Sequence, residues 1–264
     1  MSPLVRLALA ALRAPLRALV GLGEVLVLLG QVIRWGLRPP FRTAVFFEAL
    51  EFVGVGSILI IVLVGTFTGM VVGLQGVEAM RRVSAENFVG SGVSMSLCRE
   101  LSPVLTALMV TGRAASAMAT ELGSMRITEQ IDALHTMAVN PVQYLVVPRV
   151  VAGVVMLPIL TMLFTLVGMA GAYGVAVWYK GVDPGQFWAN VQWYTDPSDV
   201  VQGLIKAAVF GLALSLIGCH QGYTASGGAK GVGMATTRAV VIASVTILVM
   251  DYFLTDIIMA LTPR

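Results

Sequence analysis

Charged side chains are scarce in this sequence: they make up 12% of its 264 residues, whereas apolar residues make up 57%. A soluble domain carries roughly a quarter charged residues, so this composition excludes an ordinary water-soluble protein and is typical of a chain solvated largely by lipid. The net charge of +3 does not indicate nucleic-acid binding, because the basic residues lie between apolar runs and are not clustered with aromatic residues on a polar face.

Residues that carry chemistry are also scarce. Cys98 and Cys219 lie inside apolar runs at a spacing that matches no metal or redox motif, so we expect two buried small side chains. Two histidines leave almost no material for a haem or metal site. Residues 227–231 have the composition of a phosphate loop but not its spacing, and hydrolase motifs are absent. We predict no catalytic residue, no metal and no cofactor bound by this chain.

Long apolar runs, in contrast, are plentiful. Residues 52–77, 150–179 and 207–229 are free of charge, and each is long enough to cross about 30 Å of hydrocarbon. Residues 88–122 and 238–261 are also long enough but contain internal charges. These runs predict an all-α membrane protein with about five transmembrane helices in residues 44–264. The distribution of Lys and Arg favours a cytoplasmic N-terminus and a periplasmic C-terminus.

Residues 1–43 predict a different element. On a helical wheel, their polar residues form one narrow stripe: Arg6, Arg13, Arg17, Glu24, Gln31, Arg38 and Arg42. A helix with a basic stripe and a wide apolar face lies in the membrane surface with its arginines toward the lipid headgroups. The alternative is a sixth span over residues 19–33 with Glu24 buried. We favour the interfacial amphipathic helix because the polar stripe runs along the whole segment.

The longest polar segment, residues 125–143, lies between the second and third predicted spans. Its apolar residues recur at helical spacing: Ile127, Ile131, Leu134 and Ala138. This pattern predicts a short amphipathic helix at about 125–141, ended by Pro141, on the cytoplasmic side. Such a helix docks a protein partner or lies on the bilayer. Its polar faces carry Thr128, Glu129, Gln130, Asp132 and His135.

Two features within the spans have more than one interpretation. The first span has a flat face of Gly65, Gly69, Gly73 and Gly76. Such a face fits closely against another helix, and because it leads to Gln75 and Glu78 it is also a candidate substrate lining. In the second span, Arg99 and Glu100 either face a cavity or partner, or they lie at the membrane boundary of a span over residues 99–121.

Further ionisable residues lie within predicted spans. Arg113 is close enough to the cytoplasmic end to snorkel or to pair with Glu121, and Asp251 lies deeper in the last span. Intramembrane carboxylates serve either a proton relay or helix–helix hydrogen bonding. A gradient-driven transporter or channel that uses Glu100, Glu121 and Asp251 is therefore one alternative. The other is a transporter driven by the ATPase activity of a partner chain.

The most specific pattern is a set of long sequence runs: RELSPVLTAL (residues 99–108), ATELG (119–123), MRITEQIDAL (125–134) and GVGMATTRAVV (231–241). These runs closely resemble the MlaE family, the permease subunits of ABC transporters that move phospholipid between the inner and outer membranes of Gram-negative bacteria. The resemblance covers about residues 48–261. It implies a multi-pass protein of the bacterial inner membrane that helps to maintain outer-membrane lipid asymmetry.

The resemblance also implies partners and sites. It implies a permease homodimer on two cytoplasmic ATPase subunits that bind ATP and magnesium, with a small STAS-domain protein and a periplasmic MCE-domain hexamer. Residues 128–137 then form the coupling helix that seats in the ATPase. The implied phospholipid cavity is lined by the first two spans, with these candidate residues: Gly69, Gly73, Gln75, Glu78, Arg99, Glu100 and Leu101. A scaffold for the MCE ring is a further alternative, which predicts no stimulation of the ATPase.

Three positions depart from the family pattern. Ser102 stands where the family usually has glycine, His135 replaces a frequently acidic residue of the coupling helix, and Asn140 replaces the usual aspartate. The last two changes reduce the negative charge that would face the ATPase.

Overall fold

The computed structural model describes residues 3–39, 42–82 and 84–261, and the side chains of residue 20 onward within those ranges. This part of the chain forms helices and short connections, with no strand among them. The α-helices are α1 Pro3–Gly36, α2 Thr43–Val53, α3 Ile58–Arg81, α4 Val89–Ser96, α5 Ser102–Val110, α6 Ser116–Ile127, α7 Gln130–Thr136, α8 Val147–Tyr173, α9 Pro184–Tyr194, α10 Pro197–Tyr223 and α11 Gly228–Leu261.

Several of these helices join end to end into longer ones. Within the described residues, five helical segments are long and apolar enough to cross a membrane: Thr43–Arg81, Glu86–Ile127, Val142–Tyr179, Pro197–Tyr223 and Gly228–Leu261. The prediction of an all-α protein with five spans is confirmed. Short π-helical segments connect the α-helices within the second span, at Leu97–Leu101 and Thr111–Ala115, and two more lie at the start and the end of the third span, at Val142–Val146 and Gly174–Tyr179.

The predicted boundaries of the fourth span were wrong. The helix runs over Pro197–Tyr223, earlier than the predicted residues 207–229, and Gly227 and Gly228 form a turn with φ values of 91° and 69°. The predicted span was a run without charged residues and so left out Asp199 and Lys206, yet both are buried inside this helix. Asp199 belongs to its N-terminal cap, where the carboxylate accepts the backbone N–H of Asp196 at 3.2 Å.

The second span lies within a helix that is longer than either predicted alternative. This helix begins at Glu86 and continues past Arg99 and Glu100 without a turn. These two residues lie in the π-helical segment Leu97–Leu101, and the position of the membrane boundary along the helix stays a prediction. A π-helical segment inside a long helix is often found at a functional site.

The glycine face of the first span packs against the third span. Gly65, Gly69 and Gly73 are buried, and a methyl group on Gly69 would lie 2.7 Å from the Cα atom of Gly168. A Cβ atom on Gly73 would lie 2.9 Å from the Cα atom of Ala172. The backbones of the two helices therefore approach each other as closely as small residues allow, which increases the van der Waals contact between them.

We expect Gly69→Ala to lower the free energy of unfolding by about 2 kcal/mol, because the added methyl group forces the two backbones apart. The change can be measured by unfolding the detergent-solubilised protein with SDS. Gly92→Ala is the matched control, because its Cβ atom would have no neighbour within 4 Å and alanine favours a helix. Equal stability of the two variants would contradict close packing at Gly69.

The N-terminal helix α1 packs on the membrane-spanning part of the chain. Leu28 and Val32 are buried in the hydrophobic core, and Glu24 Oε2 lies 3.1 Å from Nε2 of His220 in α10. The helix ends at Gly36, so Arg38 and Arg42 lie beyond it and are not part of a helical stripe. The side chains of Arg6, Arg13 and Arg17 lie outside the described residues. The placement of α1 in the membrane surface stays a prediction.

Candidate functional site

A buried lysine joins three spans near the end of the molecule where α10 begins and α11 ends. The Lys206 side chain is 2% exposed. Its ammonium group donates to Glu100 Oε2 at 2.7 Å, to Thr255 Oγ1 at 2.7 Å and to Asp251 Oδ1 at 3.1 Å. The carbonyl oxygen of Arg99 lies 3.2 Å away. A charge in this environment is tolerated because it is paired and hydrogen-bonded on several sides.

A second ion pair lies beside the first. Arg99 donates from Nε and Nη2 to Oδ1 of Asp199, at 3.0 and 2.7 Å. Asp199 and Lys206 lie about two helical turns apart on α10. The neighbouring residues Arg99 and Glu100 therefore bind α10 at two separate points. We call the set Asp199, Arg99, Glu100, Lys206 and Asp251 the charge network.

Glu100 is the most exposed member of the charge network. Its side chain is 42% exposed, whereas that of Asp199 is fully buried. Two of the groups that Lys206 contacts are carboxylates, so this part of the network carries one more negative charge than positive charge when all its groups are ionised. A partly solvated carboxylate held against a buried lysine can accept hydrogen bonds from a polar group without leaving its place.

Arg113 lies elsewhere in the second span, and its predicted pair with Glu121 is not formed. Arg113 donates to the carbonyl oxygen of Phe52 at 2.7 Å and to Oγ of Ser57 at 3.0 Å, where the first span is interrupted by a 3-10 turn. Glu121 instead binds Nη2 of Arg149 at 2.9 Å. Arg113 therefore finds nearer partners than a carboxylate two turns away on its own helix.

The three carboxylates of the predicted relay do not come together. Glu100 and Asp251 converge on Lys206, but Glu121 lies at the opposite end of the second span in its pair with Arg149. The two that do converge are held by Lys206, which lies directly before the charge-free run that predicted the fourth span. The signal that could have found it was the lysine itself, because an unpaired cation in an apolar run is costly and implies a carboxylate partner.

The predicted lining residues of the first span divide into two groups. Gly69 and Gly73 are buried against α8, so the structure gives these glycines the helix-packing role that the sequence left as one alternative. Gln75 and Glu78 are exposed, and Glu78 Oε2 lies 3.2 Å from Nζ of Lys180. Leu101 is half-buried beside the charge network. Contact of any of these residues with a lipid stays a prediction.

The predicted cytoplasmic helix is shorter than residues 125–141. Helix α7 covers only Gln130–Thr136, because Glu129 and Ala138 adopt left-handed backbone conformations with φ values of 60° and 57°. Ile131 is fully buried and anchors α7 to the rest of the chain. The five predicted docking residues are all exposed: Thr128, Glu129, Gln130, Asp132 and His135.

Two side chains near α7 make local contacts. Arg126 Nη1 lies 2.6 Å from Oδ1 of Asp132, so the charge of this aspartate is compensated within the chain. Asn140 Oδ1 accepts the backbone N–H of Val142 at 2.9 Å. Asparagine therefore caps the start of the third span here, as an aspartate would. Pro141 begins that helical segment, and the helix before it ends at Thr136.

Comparisons with known proteins agree with this architecture. The family model described as Permease MlaE matches residues 46–257. The chain is 44% identical to the intermembrane phospholipid transport system permease protein MlaE of Haemophilus influenzae over 211 residues, which are 80% of this chain and 81% of that protein. It is 40% identical to a probable ABC transporter permease protein of Rickettsia felis over 84% of this chain and 85% of that protein.

A plant protein is also similar. The chain is 36% identical to the chloroplastic protein TRIGALACTOSYLDIACYLGLYCEROL 1 of Arabidopsis thaliana over 233 residues, which cover 88% of this chain and 67% of that protein. The residues that the family model matches include the charge network, α7 and all or nearly all of each of the five spans. Because the family model and these relatives cover most of its length, the chain belongs to the MlaE permease family.

Proposed function

We propose that this chain is the membrane-spanning permease subunit of an ABC transporter that moves phospholipids between an inner and an outer membrane. The similarity to the Haemophilus influenzae permease carries this proposal, because that protein is named for intermembrane phospholipid transport and aligns over four-fifths of this chain. The five spans supply a membrane path. Relatives named as permeases of ABC transporters support a chain that moves its substrate while a partner hydrolyses ATP.

The partners follow from the same assignment. We expect a homodimer of this chain, two cytoplasmic ATPase subunits that bind ATP and magnesium, a small STAS-domain protein and a periplasmic MCE-domain hexamer. The protein would lie in the bacterial inner membrane with its N-terminus in the cytoplasm. The exposed polar residues of α7 suit a docking surface for the ATPase, since Ile131 holds the helix in place while its outer face is open.

A continuous helix connects α7, the proposed docking site of the ATPase, to the charge network. The second span extends over Glu86–Ile127 and leads through a short turn into α7, while Arg99 and Glu100 lie in its other half. A displacement of α7 by the ATPase would therefore be transmitted along this helix to the charge network. The two π-helical segments in this span are places where such a helix can change its register or bend.

The charge network would then control the outer part of a lipid path. Glu100 and Lys206 hold the second and fourth spans together, and Asp251 adds the fifth span. A movement of the second span would weaken or strengthen all of these contacts at the same time. A phospholipid headgroup has a phosphate for Arg99 and, in some lipids, an amine for Glu100, so the network suits contact with the headgroup.

A gradient-driven transporter is the second candidate function. The observation that favours it is the convergence of Glu100 and Asp251 on Lys206, since a lysine between two carboxylates within a membrane is a possible proton site. This candidate predicts transport by the chain alone, abolished by an uncoupler and indifferent to ATP.

The decisive experiment is to purify the tagged chain in mild detergent, identify the proteins and lipids that co-purify, and reconstitute the recovered complex. We expect an ATPase, an MCE-domain protein and phospholipid to co-purify, and lipid transfer that requires ATP and resists an uncoupler. Recovery of the chain alone, with transport that an uncoupler stops, would support the gradient-driven candidate. Assembly with an MCE protein but without stimulation of the ATPase would support a scaffold.

A further inference from the structure

A cavity of about 300 Å³ lies at the end of the molecule where α7 is found. The charge network lies toward the other end of the spans. The cavity is enclosed by the end of α1, the start of α2 and the segment that enters the third span. Most of its wall is apolar and includes Val45, Phe46, Val139, Val147 and Val151. The cavity therefore offers space and an apolar surface close to the proposed cytoplasmic side of the membrane.

Two arginines give this cavity its charge. The guanidinium of Arg38 lies 5.3 Å from the ring centre of Trp35, and that of Arg42 lies 4.6 Å from the ring centre of Tyr144. All four residues line the cavity, and Gln143 Nε2 donates to the Arg38 carbonyl oxygen at 2.8 Å. Stacking on an aromatic ring orients a guanidinium but leaves its N–H edge available.

The cations of this cavity lack a counter-charge. None of its lining residues is acidic, and within the described part of the chain neither guanidinium forms an ion pair or donates a hydrogen bond. A neighbouring cavity of about 290 Å³, on the other side of Tyr144, differs in this respect because Glu48, Glu121 and Arg149 line it. Only the first cavity combines an excess of positive charge with an apolar wall.

This combination fits one class of ligand. Each guanidinium can bind two phosphate oxygens through parallel N–H donors, and an apolar wall can accept the first carbons of acyl chains. Helix α1, which borders the cavity, also exposes a run of apolar side chains that suits contact with a bilayer: Val20, Leu22, Leu26, Val27 and Ile33. We propose that the cavity binds the headgroup of an anionic phospholipid through Arg38 and Arg42.

This site is separate from the charge network and does not depend on the direction of transport. It would hold a lipid of the leaflet that borders α7, next to the entrance of the third span. Its occupant would bridge α1, α2 and the third span, so the bound lipid would also fix α1 against the rest of the chain.

The test is a binding titration of the full-length chain in neutral detergent. The probes are dihexanoyl-phosphatidylglycerol, dihexanoyl-phosphatidylcholine and inorganic phosphate, and the readout is tryptophan fluorescence. Trp35 lines the cavity, whereas Trp178 lies at the opposite end of the third span and the tryptophans at positions 188 and 193 lie beyond that end. Subtracting the signal of the variant Trp35→Phe isolates the response of the cavity.

We expect saturable binding of the phosphatidylglycerol, weakened at least about tenfold in the double variant Arg38→Gln, Arg42→Gln, because each lost guanidinium removes a charge-assisted hydrogen bond. Arg34→Gln is the matched control, since Arg34 is exposed on α1 but does not line the cavity. Its affinity should equal that of the unmodified chain. The double variant should also unfold at the same SDS concentration as the unmodified chain, because both arginines are exposed.

Three results would overturn the proposal. One is equal affinity in the double variant and the unmodified chain. Another is equal binding of the phosphatidylcholine, which would show that the net charge of the headgroup is not recognised. The third is displacement of the lipid by inorganic phosphate at the same concentration, which would make the cavity a site for free anions. Loss of transport in the assembled complex bears on the proposed function and leaves this binding result unaffected.

Discussion

Lys206→Met is expected to lower the free energy of unfolding by about 3 kcal/mol and to abolish lipid transfer. The substitution keeps the length of the side chain but removes the one cation that, among the residues the structure describes, lies within hydrogen-bonding distance of both Glu100 and Asp251. Breaking a buried ion pair from one side costs about 3–5 kcal/mol, and the lower end applies because Glu100 is partly exposed to solvent. SDS unfolding measures the stability, and lipid transfer by the reconstituted complex measures the function.

Two further variants distinguish the role of the buried charge network from that of an exposed ion pair. Lys180→Met removes a lysine that lies 3.2 Å from an exposed Glu78, so it should cost less than about 1 kcal/mol. The triple variant Lys206→Met, Glu100→Gln, Asp251→Asn removes both carboxylate charges with the cation and should recover most of the lost stability. We expect this triple variant to remain inactive in transfer. A stable triple variant with normal transfer would reduce the network to a structural role.

The fold was largely predictable from the sequence, because lipid imposes a simple length and composition rule on a spanning helix. The predicted number of spans is confirmed. The rule gave the wrong boundaries for the fourth span, because it was applied to runs without charged residues. Asp199 and Lys206 are buried in that helix because residues distant in sequence, Arg99 and Glu100, neutralise them. A one-dimensional pattern of hydropathy contains no information about such partners.

The site was less predictable than the fold. Glu100 and Asp251 stood out in the sequence because ionisable residues in apolar runs are unusual. The sequence could not show that they share Lys206, or that Arg113 reaches the Phe52 carbonyl, since both contacts depend on how the helices pack. The short length of α7 also could not be predicted from the sequence. Its limits are set by left-handed conformations at Glu129 and Ala138, which neither residue type favours.

Glu129→Lys is expected to uncouple the transporter, reducing lipid transfer at least about tenfold while the ATPase continues to hydrolyse ATP at its basal rate. Arg126 compensates the charge of Asp132, whereas Glu129, at the start of α7, forms no ion pair within the described part of the chain. If α7 docks on the ATPase as proposed and Glu129 faces a basic surface there, reversing this charge places like charges opposite each other across the interface, and such juxtapositions cost several kcal/mol. A tenfold loss of lipid transfer requires only about 1.4 kcal/mol of this unfavourable interaction free energy. ATP hydrolysis and lipid transfer are measured in the same reconstituted vesicles.

The interpretation of Glu129→Lys requires that the fold and the turn remain intact. Glu129 is exposed, so the SDS unfolding curve of the variant should match that of the unmodified chain. Glu129→Gly removes the side chain but keeps a residue that readily adopts the left-handed conformation, and it should cause a smaller loss. Glu86→Lys reverses a charge at the opposite end of the second span, where Glu86 pairs with Arg81 at 3.3 Å, and should leave coupling unchanged. If Glu86→Lys and Glu129→Lys reduced transfer equally, the loss would come from net charge and not from docking at α7.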